Sequence, residues 1–85
     1  MNEIATLNAR KQDLGAGYLT AVFALHDDGT VTRRITAIDG VTVANQPAVF
    51  RRLDEAERRV NCADRLSALG FLAGVVAAEG WMVAS

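Results

Sequence analysis

Residues 18–38 read YLTAVFALHDDGTVTRRITAI, and this stretch decides the fold. Its first half alternates, with Leu19, Phe23 and Leu25 on a fully apolar face and mixed residues between them, which is typical of a half-buried β-strand. Asp28-Gly29 follows, and Asp-Gly tolerates the positive φ angles that a tight hairpin turn needs. Residues 30–38 are rich in β-branched side chains, which favours a return strand. The stretch therefore predicts an antiparallel hairpin.

The hairpin is extended on its C-terminal side by a second turn. Asp39-Gly40 has the same turn chemistry as the first, and residues 41–45 are predicted to form a third strand. Pro47 lacks an N–H group and is expected to end the ladder or lie at its edge. The residues before Gly15 fit either a short helix or an added edge strand. The sheet is therefore predicted as a three- or four-stranded antiparallel meander.

The second half of the chain has helical spacing. Asp54, with Glu57 three residues later, fits a capping box at a helix start. We expect the following apolar stripe to pack across one face of the meander. Its members are Leu53, Ala56, Val60, Ala63 and Leu66. Gly70 leaves open whether there is one long helix or two shorter ones. The whole sequence thus predicts a single α+β domain over residues 1–85, with its C-terminal helices on one sheet face.

Composition excludes several classes of protein. The 85 residues carry 9 Lys+Arg and 10 Asp+Glu, a formal charge of −1, so phosphate neutralisation by a polybasic surface is not expected. One cysteine excludes a disulfide framework and a cysteine-based zinc site. No signal sequence is recognisable, and the apolar run from Ala68 to Ala78 is too short to span a bilayer. We expect a protein of the bacterial cytoplasm with no membrane partner.

The sequence offers little catalytic chemistry. His26 and Cys62 are single occurrences, placed at a hairpin end and in mid-helix, so a nucleophilic pair is not expected. Asp27 and Asp28 lie beside His26, but turn geometry already accounts for aspartates before glycine. We therefore predict no enzyme activity, no metal site and no cofactor.

Arginine pairs are the more informative feature. Arginine is a common anchor at protein interfaces. We expect partner contacts at the strand faces and tips, through Asp27, Asp28, Arg33, Arg34, Arg51 and Arg52. Acids interleave with the bases along the predicted helix, which makes a poor stripe for phosphates, so direct nucleic-acid binding is not expected. The apolar stretch from Ala68 to Val83 is interpreted either as core within one subunit or as an interface in a homodimer.

The order of elements resembles a known class of small proteins. The hairpin over residues 18–38, the turn at Asp39-Gly40 and the acidic helix start at Leu53-Asp54-Glu55-Ala56 look like the layout of small phage anti-CRISPR proteins that act on type I surveillance complexes. The resemblance covers residues 18–60 and rests on layout, without a diagnostic motif. It implies a stoichiometric inhibitor that binds a Cas subunit and blocks DNA recognition or nuclease recruitment. Several known examples mimic DNA with acidic surfaces, and this near-neutral chain differs from them.

A second resemblance leads to an alternative function. The strand over residues 18–23, its turn, and the segment Leu53-Asp54-Glu55-Ala56-Glu57 are similar to HicB-like antitoxins. These carry a hairpin before a helix that opens with acidic residues and alanine. A Pro-Gly motif expected in the third strand is absent, as is an added DNA-binding segment. This resemblance implies an antitoxin that neutralises a small ribonuclease.

Overall fold

The computed structural model describes residues 2–84 and is an α+β fold, as the sequence predicts. Six strands and two helices follow one another along the chain. They are β1 (Glu3–Asp13), β2 (Gly17–His26), β3 (Thr30–Ile38), β4 (Val41–Thr42), β5 (Ala48–Arg52), α1 (Glu55–Asn61), α2 (Arg65–Ala78) and β6 (Met82–Ala84). All strand pairs are antiparallel, and both helices lie C-terminal to the meander.

The predicted hairpin is the centre of the sheet. β2 pairs with β3 in a register that places Phe23 opposite Arg33 and Leu25 opposite Val31. Gly29 has a φ of 86°, as the turn requires. β1 pairs along the other side of β2, so the ambiguous N-terminal segment is a strand. The order across the sheet is β6-β1-β2-β3, with β4 and β5 both beside β3.

The predicted third strand is shorter than expected, and a strand that was not predicted follows it. The strand covers Val41–Thr42, and the Val43 amide makes one further hydrogen bond to the Thr36 carbonyl of β3 at 3.0 Å, although the prediction ran to residue 45. The chain returns to β3 directly after Pro47 as β5. Phe50 explains this return, because its ring packs edge-on against Phe23 with a centroid distance of 5.9 Å. Pro47, which was expected to end the ladder or lie at its edge, directly precedes β5, a strand paired on one side only, with β3.

The first helix begins as the sequence predicts. Asp54 is the N-cap of α1, and its side chain accepts a hydrogen bond from the Glu57 amide while the Glu57 side chain accepts one from the Asp54 amide. The helix ends at Asn61, and Asp64 caps α2 by accepting from the Ser67 amide. Two helices result, but the break lies before Asp64. Gly70 lies within α2, so glycine is not what separates them.

The predicted apolar stripe is wrong beyond Leu53. Val60 is 68% exposed and Leu66 is 82% exposed, and both alanines of the stripe are also exposed. Ala56 and Val60 are exposed because α1 buries none of its own residues. Leu66 leaves the stripe because the axes of α1 and α2 bend by 116° at the break between them, so positions spaced along one ideal helix do not share a face. The helix residues that pack on the sheet are instead Ala68, Leu72, Val75 and Val76.

The core lies between α2 and one face of the sheet. Its largest fully buried side chains are Phe23, Leu25, Leu72, Val31 and Val76. Trp81 closes one side, 6% exposed, with its ring 5.6 Å from that of Phe23. The buried residues of the apolar C-terminal stretch therefore lie inside their own subunit. Neither helix alone is long and apolar enough to cross a bilayer, and only the bent pair has the combined length and composition.

Candidate interaction surface on the open sheet face

The helices cover only one face of the sheet, and the opposite face is called the open face here. Side chains along a strand point alternately to the two faces of the sheet. Residues two positions apart on one strand therefore share a face, and so do residues directly paired across neighbouring strands. Ala9, Phe23 and Val31 are buried on the helix side, which places their neighbours on the other side. The open face therefore includes Glu3, Asn8, Arg10, Gln12, Tyr18, Thr20, Val22, Ala24, His26, Thr32, Arg34, Val49, Arg52 and Met82.

Two of the predicted contact residues shape the β2–β3 turn. Asp28 accepts hydrogen bonds from the Thr30 hydroxyl at 2.7 Å and from the Thr30 amide at 3.0 Å. These bonds hold the pKa of the Asp28 carboxyl below its ordinary value. Asp27 is exposed, and its carboxylate accepts from the Asn2 amide at 3.2 Å. Asp28 thus stabilises the turn, whereas Asp27 lies at the surface of the same tip.

Two of the predicted arginines lie on the helix side. Arg33 has its guanidinium carbon 6.0 Å from the ring centroids of both Phe50 and Trp81. Arg51 forms an ion pair with Glu57 at 2.9 Å and lies 5.4 Å from the centroid of Phe71. Cations at these distances from aromatic rings are attracted by the ring quadrupole. Arg33 therefore packs against aromatic rings on the covered side of the sheet, and Arg51 joins the sheet to both helices.

The other two predicted arginines, Arg34 and Arg52, lie on the open face. Arg34 is opposite Val22, and Arg52 is opposite Thr30. Arg10 shares this face, opposite Thr20 and Met82, and sequence reasoning missed it. Its signal was the alternation around Ala9, which becomes visible only once residues 3–13 are known to form a strand. Within residues 2–84, none of these three arginines forms an ion pair or a side-chain hydrogen bond.

The three arginines form a diagonal line, which we call the arginine band. Arg10 lies on β1, Arg34 on β3 and Arg52 on β5. Strand spacing and the rise along a strand place the Cα atoms of Arg10 and Arg34 about 12 Å apart, and those of Arg34 and Arg52 about 14 Å apart. Small or partly buried side chains lie beside the line, including Thr20, Val22 and Ala24. The band therefore borders a shallow surface without bulky obstructions.

The charge of the open face differs from that of the whole chain. Glu3, opposite His26, is the one carboxylate that the strand pairing places on this face among residues 2–84. Three arginines and one carboxylate give the face a formal charge of +2, whereas the chain carries −1. The remaining acids lie at turns and on the helices, where several cap helix ends or hold turns. The rest of the chain keeps six basic and nine acidic side chains, so the open face is net positive while the remainder is net negative.

A groove of about 280 Å³ lies between the β2–β3 turn and α1. Its lining residues are Asp27, Glu55, Arg58, Arg59 and Cys62. The Cys62 thiol donates to the His26 carbonyl oxygen at 3.7 Å, and burial raises the pKa of this thiol. The His26 imidazole lies on the open face, where Nε2 is 2.8 Å from the Thr32 hydroxyl. The thiol and the imidazole are therefore on different sides of the sheet.

Further apolar residues are exposed at the opposite end of the sheet. Leu14 in the β1–β2 turn is fully exposed, and Val41 beside the β3–β4 turn is 67% exposed. Asp39 joins these turns, because its carboxylate accepts from the Tyr18 amide at 2.8 Å and its amide donates to the Tyr18 carbonyl at 2.7 Å. This end is a second exposed surface, but it lacks the arginines of the open face.

No three histidine, cysteine, aspartate or glutamate side chains within residues 2–84 are grouped as metal ligands. Comparison with known proteins gives no further assignment. No protein-family model, no curated protein and no solved structure matches this chain.

Proposed function

We propose that this chain is a non-enzymatic protein-binding domain that acts by covering a surface of its partner. The observation that carries the proposal is the open face, which the helices leave uncovered and which bears three arginines that form no ion pair within the described part of the chain, residues 2–84. Arginine and exposed apolar groups together are typical of the residues that contribute most to protein interfaces. The other arginines with contacts in the fold, such as Arg33, have a structural use that the arginine band lacks.

The partner class proposed first is a type I surveillance complex of a bacterial host, bound in the cytoplasm. Support comes from the resemblance of the hairpin-and-helix layout to phage anti-CRISPR proteins. A domain with a flat binding face blocks a larger assembly by occupying a surface, without consuming a substrate. A stable contact of this kind needs about 1,000 Å² or more of buried area.

A defined binding experiment tests this proposal. Purified type I surveillance complex and a purified small ribonuclease toxin are each titrated with the chain by isothermal calorimetry. Saturable binding to the complex, with loss of its DNA binding or nuclease recruitment, supports the inhibitor. Binding and inhibition of the ribonuclease instead supports the HicB-like alternative. If the chain binds neither protein, both partner classes are wrong.

Catalytic turnover is the property that would distinguish an enzyme, and it can be assayed with the same purified protein. Turnover of a small compound that is lost in His26→Ala or Cys62→Ala would contradict the non-enzymatic proposal. Cys62→Ala is expected to retain partner binding, because this thiol lies away from the open face, whereas His26→Ala removes a side chain of that face and is used for the activity assay alone. Cys62→Ala is the cleaner variant, since the His26 imidazole also contacts Thr32.

A further inference from the structure

We infer that the open face binds an extended acidic segment of a protein, with carboxylates spaced to meet Arg10, Arg34 and Arg52 in turn. This inference rests on the proposed protein-binding function and names the chemistry of the partner. The three arginines are offered on one face, while the acids of the chain lie almost entirely elsewhere. A negatively charged partner is therefore complementary to this face and is repelled by the rest of the surface.

The arginines of the described residues fall into two groups, those with contacts inside the fold and those on the surface, and this difference supports the assignment. Four of the eight arginines make contacts within the fold: Arg33, Arg51, Arg58 and Arg59. Of the other four, three lie on the open face, and Arg65 lies at the start of α2. A cation without a fold partner needs a ligand or solvent. Each of the three aligned arginines can bind one carboxylate of the partner through two N–H groups of its planar guanidinium.

The spacing of the arginine band fits an extended chain. Adjacent arginines are about 12 and 14 Å apart, and four residues of extended polypeptide span about 13 Å. Carboxylates at every fourth position of an extended segment therefore reach successive arginines. The residues between them face Val22 and Ala24, which are partly or fully buried and present little height above the sheet. Apolar side chains in the partner are expected at these intervening positions.

A protein segment is favoured over a nucleic acid. Single-stranded nucleic acids bind to platforms where successive bases stack on aromatic rings. Among residues 2–84 the pairing places two aromatic rings on the open face, Tyr18 beyond Arg10 at one end and His26 at the other, where its Nε2 contacts the Thr32 hydroxyl, so they form no continuous stacking platform. The exposed Met82, 64% exposed and opposite Arg10, instead offers an apolar contact of the kind found in protein interfaces.

Arg52 is the weakest of the three positions. Asp28 in the adjacent turn feels the charge of Arg52, so part of this charge is already compensated. Arg10 and Arg34 lie farther from this turn, on the central parts of β1 and β3. Loss of Arg10 and Arg34 is therefore expected to weaken binding more than loss of Arg52.

Defined peptides test the inference. The first probe is a 13-residue peptide with glutamate at every fourth position and valine, threonine or serine between. The second has the same composition with its glutamates adjacent. The third is a single-stranded DNA of equal charge. Fluorescence anisotropy with the full chain is expected to show saturable binding of the spaced peptide, at least fivefold tighter than that of the clustered peptide or the DNA.

Two double variants supply the matched control. Arg10→Glu/Arg34→Glu is expected to weaken binding of the spaced peptide at least tenfold. Arg59→Glu/Arg65→Glu makes the same change of charge on the helical side and is expected to alter it less than twofold. Circular dichroism verifies that both variants are folded. If one does not fold, the corresponding Gln variants replace it.

The outcomes separate this inference from the proposed function. Equal binding of both peptides, equal effects of the two double variants, tighter binding of the DNA or no peptide binding at millimolar concentration would overturn the acidic-segment assignment. Protein binding measured by calorimetry would survive these results and would then be assigned to another surface. If calorimetry detects no binding of the chain to either purified partner protein, the proposed function is overturned instead.

Discussion

Arg33 and Arg34 are consecutive residues of β3 that serve opposite faces of the sheet. The guanidinium of Arg33 lies 6.0 Å from the ring centroids of both Phe50 and Trp81. Arg34, opposite Val22, lies on the open face and forms no ion pair within residues 2–84. Arg33 therefore has contacts that stabilise the fold, whereas Arg34 belongs to the surface proposed to bind a partner, and substitution of each one tests this difference.

Replacing these two arginines is expected to have different effects on stability. Arg33→Ala loses two cation–π contacts and the packing of its aliphatic stem, so the free energy of unfolding is expected to fall by about 1–2 kcal/mol. Arg34→Ala, on the open face, is expected to change it by less than about 0.5 kcal/mol. Urea denaturation followed by the fluorescence of Trp81 measures both. A larger loss for Arg34→Ala would contradict the assignment of faces.

Two leucines of α2 test where the helical layer packs. Leu72 is fully buried, whereas Leu66 is 82% exposed. Leu72→Ala is expected to cost about 2–5 kcal/mol of unfolding free energy because it leaves a cavity. Leu66→Ala is expected to change it by less than about 0.5 kcal/mol. Chemical denaturation compares them, with Val76→Ala as the substitute if Leu72→Ala does not fold. Equal losses of unfolding free energy would mean that Leu66 packs in the core, as the continuous apolar stripe predicted from the sequence requires.

Acid is expected to weaken the β2–β3 turn through Asp28. Hydrogen bonds from Thr30 lower the pKa of this carboxyl below its ordinary value of 3.8. The ionised carboxylate therefore contributes stability above pH 3.8, and this contribution is lost as the pH falls through the lower pKa of the folded state. Asp28→Asn is expected to be less stable than the native chain at pH 6.

The same variant is expected to lose less stability than the native chain when the pH falls below about 4. Urea midpoints measured between pH 2.5 and 6 give both curves. Asp13 and Asp64 also have lowered pKa values, because backbone amides donate to their carboxylates, so some acid sensitivity remains in the variant. If the urea midpoints of the two proteins fall equally as the pH falls, the hydrogen bonds from Thr30 do not favour the ionised form of the Asp28 carboxyl over the protonated form.

The Cys62 thiol is expected to react slowly. Burial raises its pKa, so little thiolate forms at neutral pH, and the thiolate is the reactive species. Modification by a disulfide reagent at pH 7.5 is expected to be slower in the native chain than in urea, and slower than for glutathione. Reaction in the native chain as fast as in the unfolded chain would contradict this environment.

The sequence predicts those parts of the fold whose signals are local. Alternation and an Asp-Gly turn identified the β2–β3 hairpin, and Asp54 with Glu57 identified the start of α1. β5 was missed because its formation depends on Phe50 packing against Phe23, a contact between distant positions. β1 stayed ambiguous for a related reason: its apolar residues fit two periods, and pairing with β2 decides between them.

The candidate surface was only partly accessible to sequence reasoning. Alternation predicts that Arg33 and Arg34 lie on opposite faces, but not which face the helices cover. The break before Asp64 sets the direction of α2, and α2 determines that Arg33 and Arg51 belong to the covered side. Arg10 became a candidate only through the pairing of β1. Arginines that lie far apart in the sequence can therefore be recognised as one surface only when the order of the strands is known.

The most direct measurement is a map of the bound surface by nuclear magnetic resonance. The ¹⁵N-labelled chain is titrated with the spaced acidic peptide, and backbone amide shifts are followed. The largest changes are predicted in the central parts of β1, β2 and β3, around Arg10, Val22 and Arg34, with little change in α1. Changes concentrated instead in α1 or around Leu14 and Val41, with β1–β3 unaffected, would contradict the assignment of the open face as the binding surface.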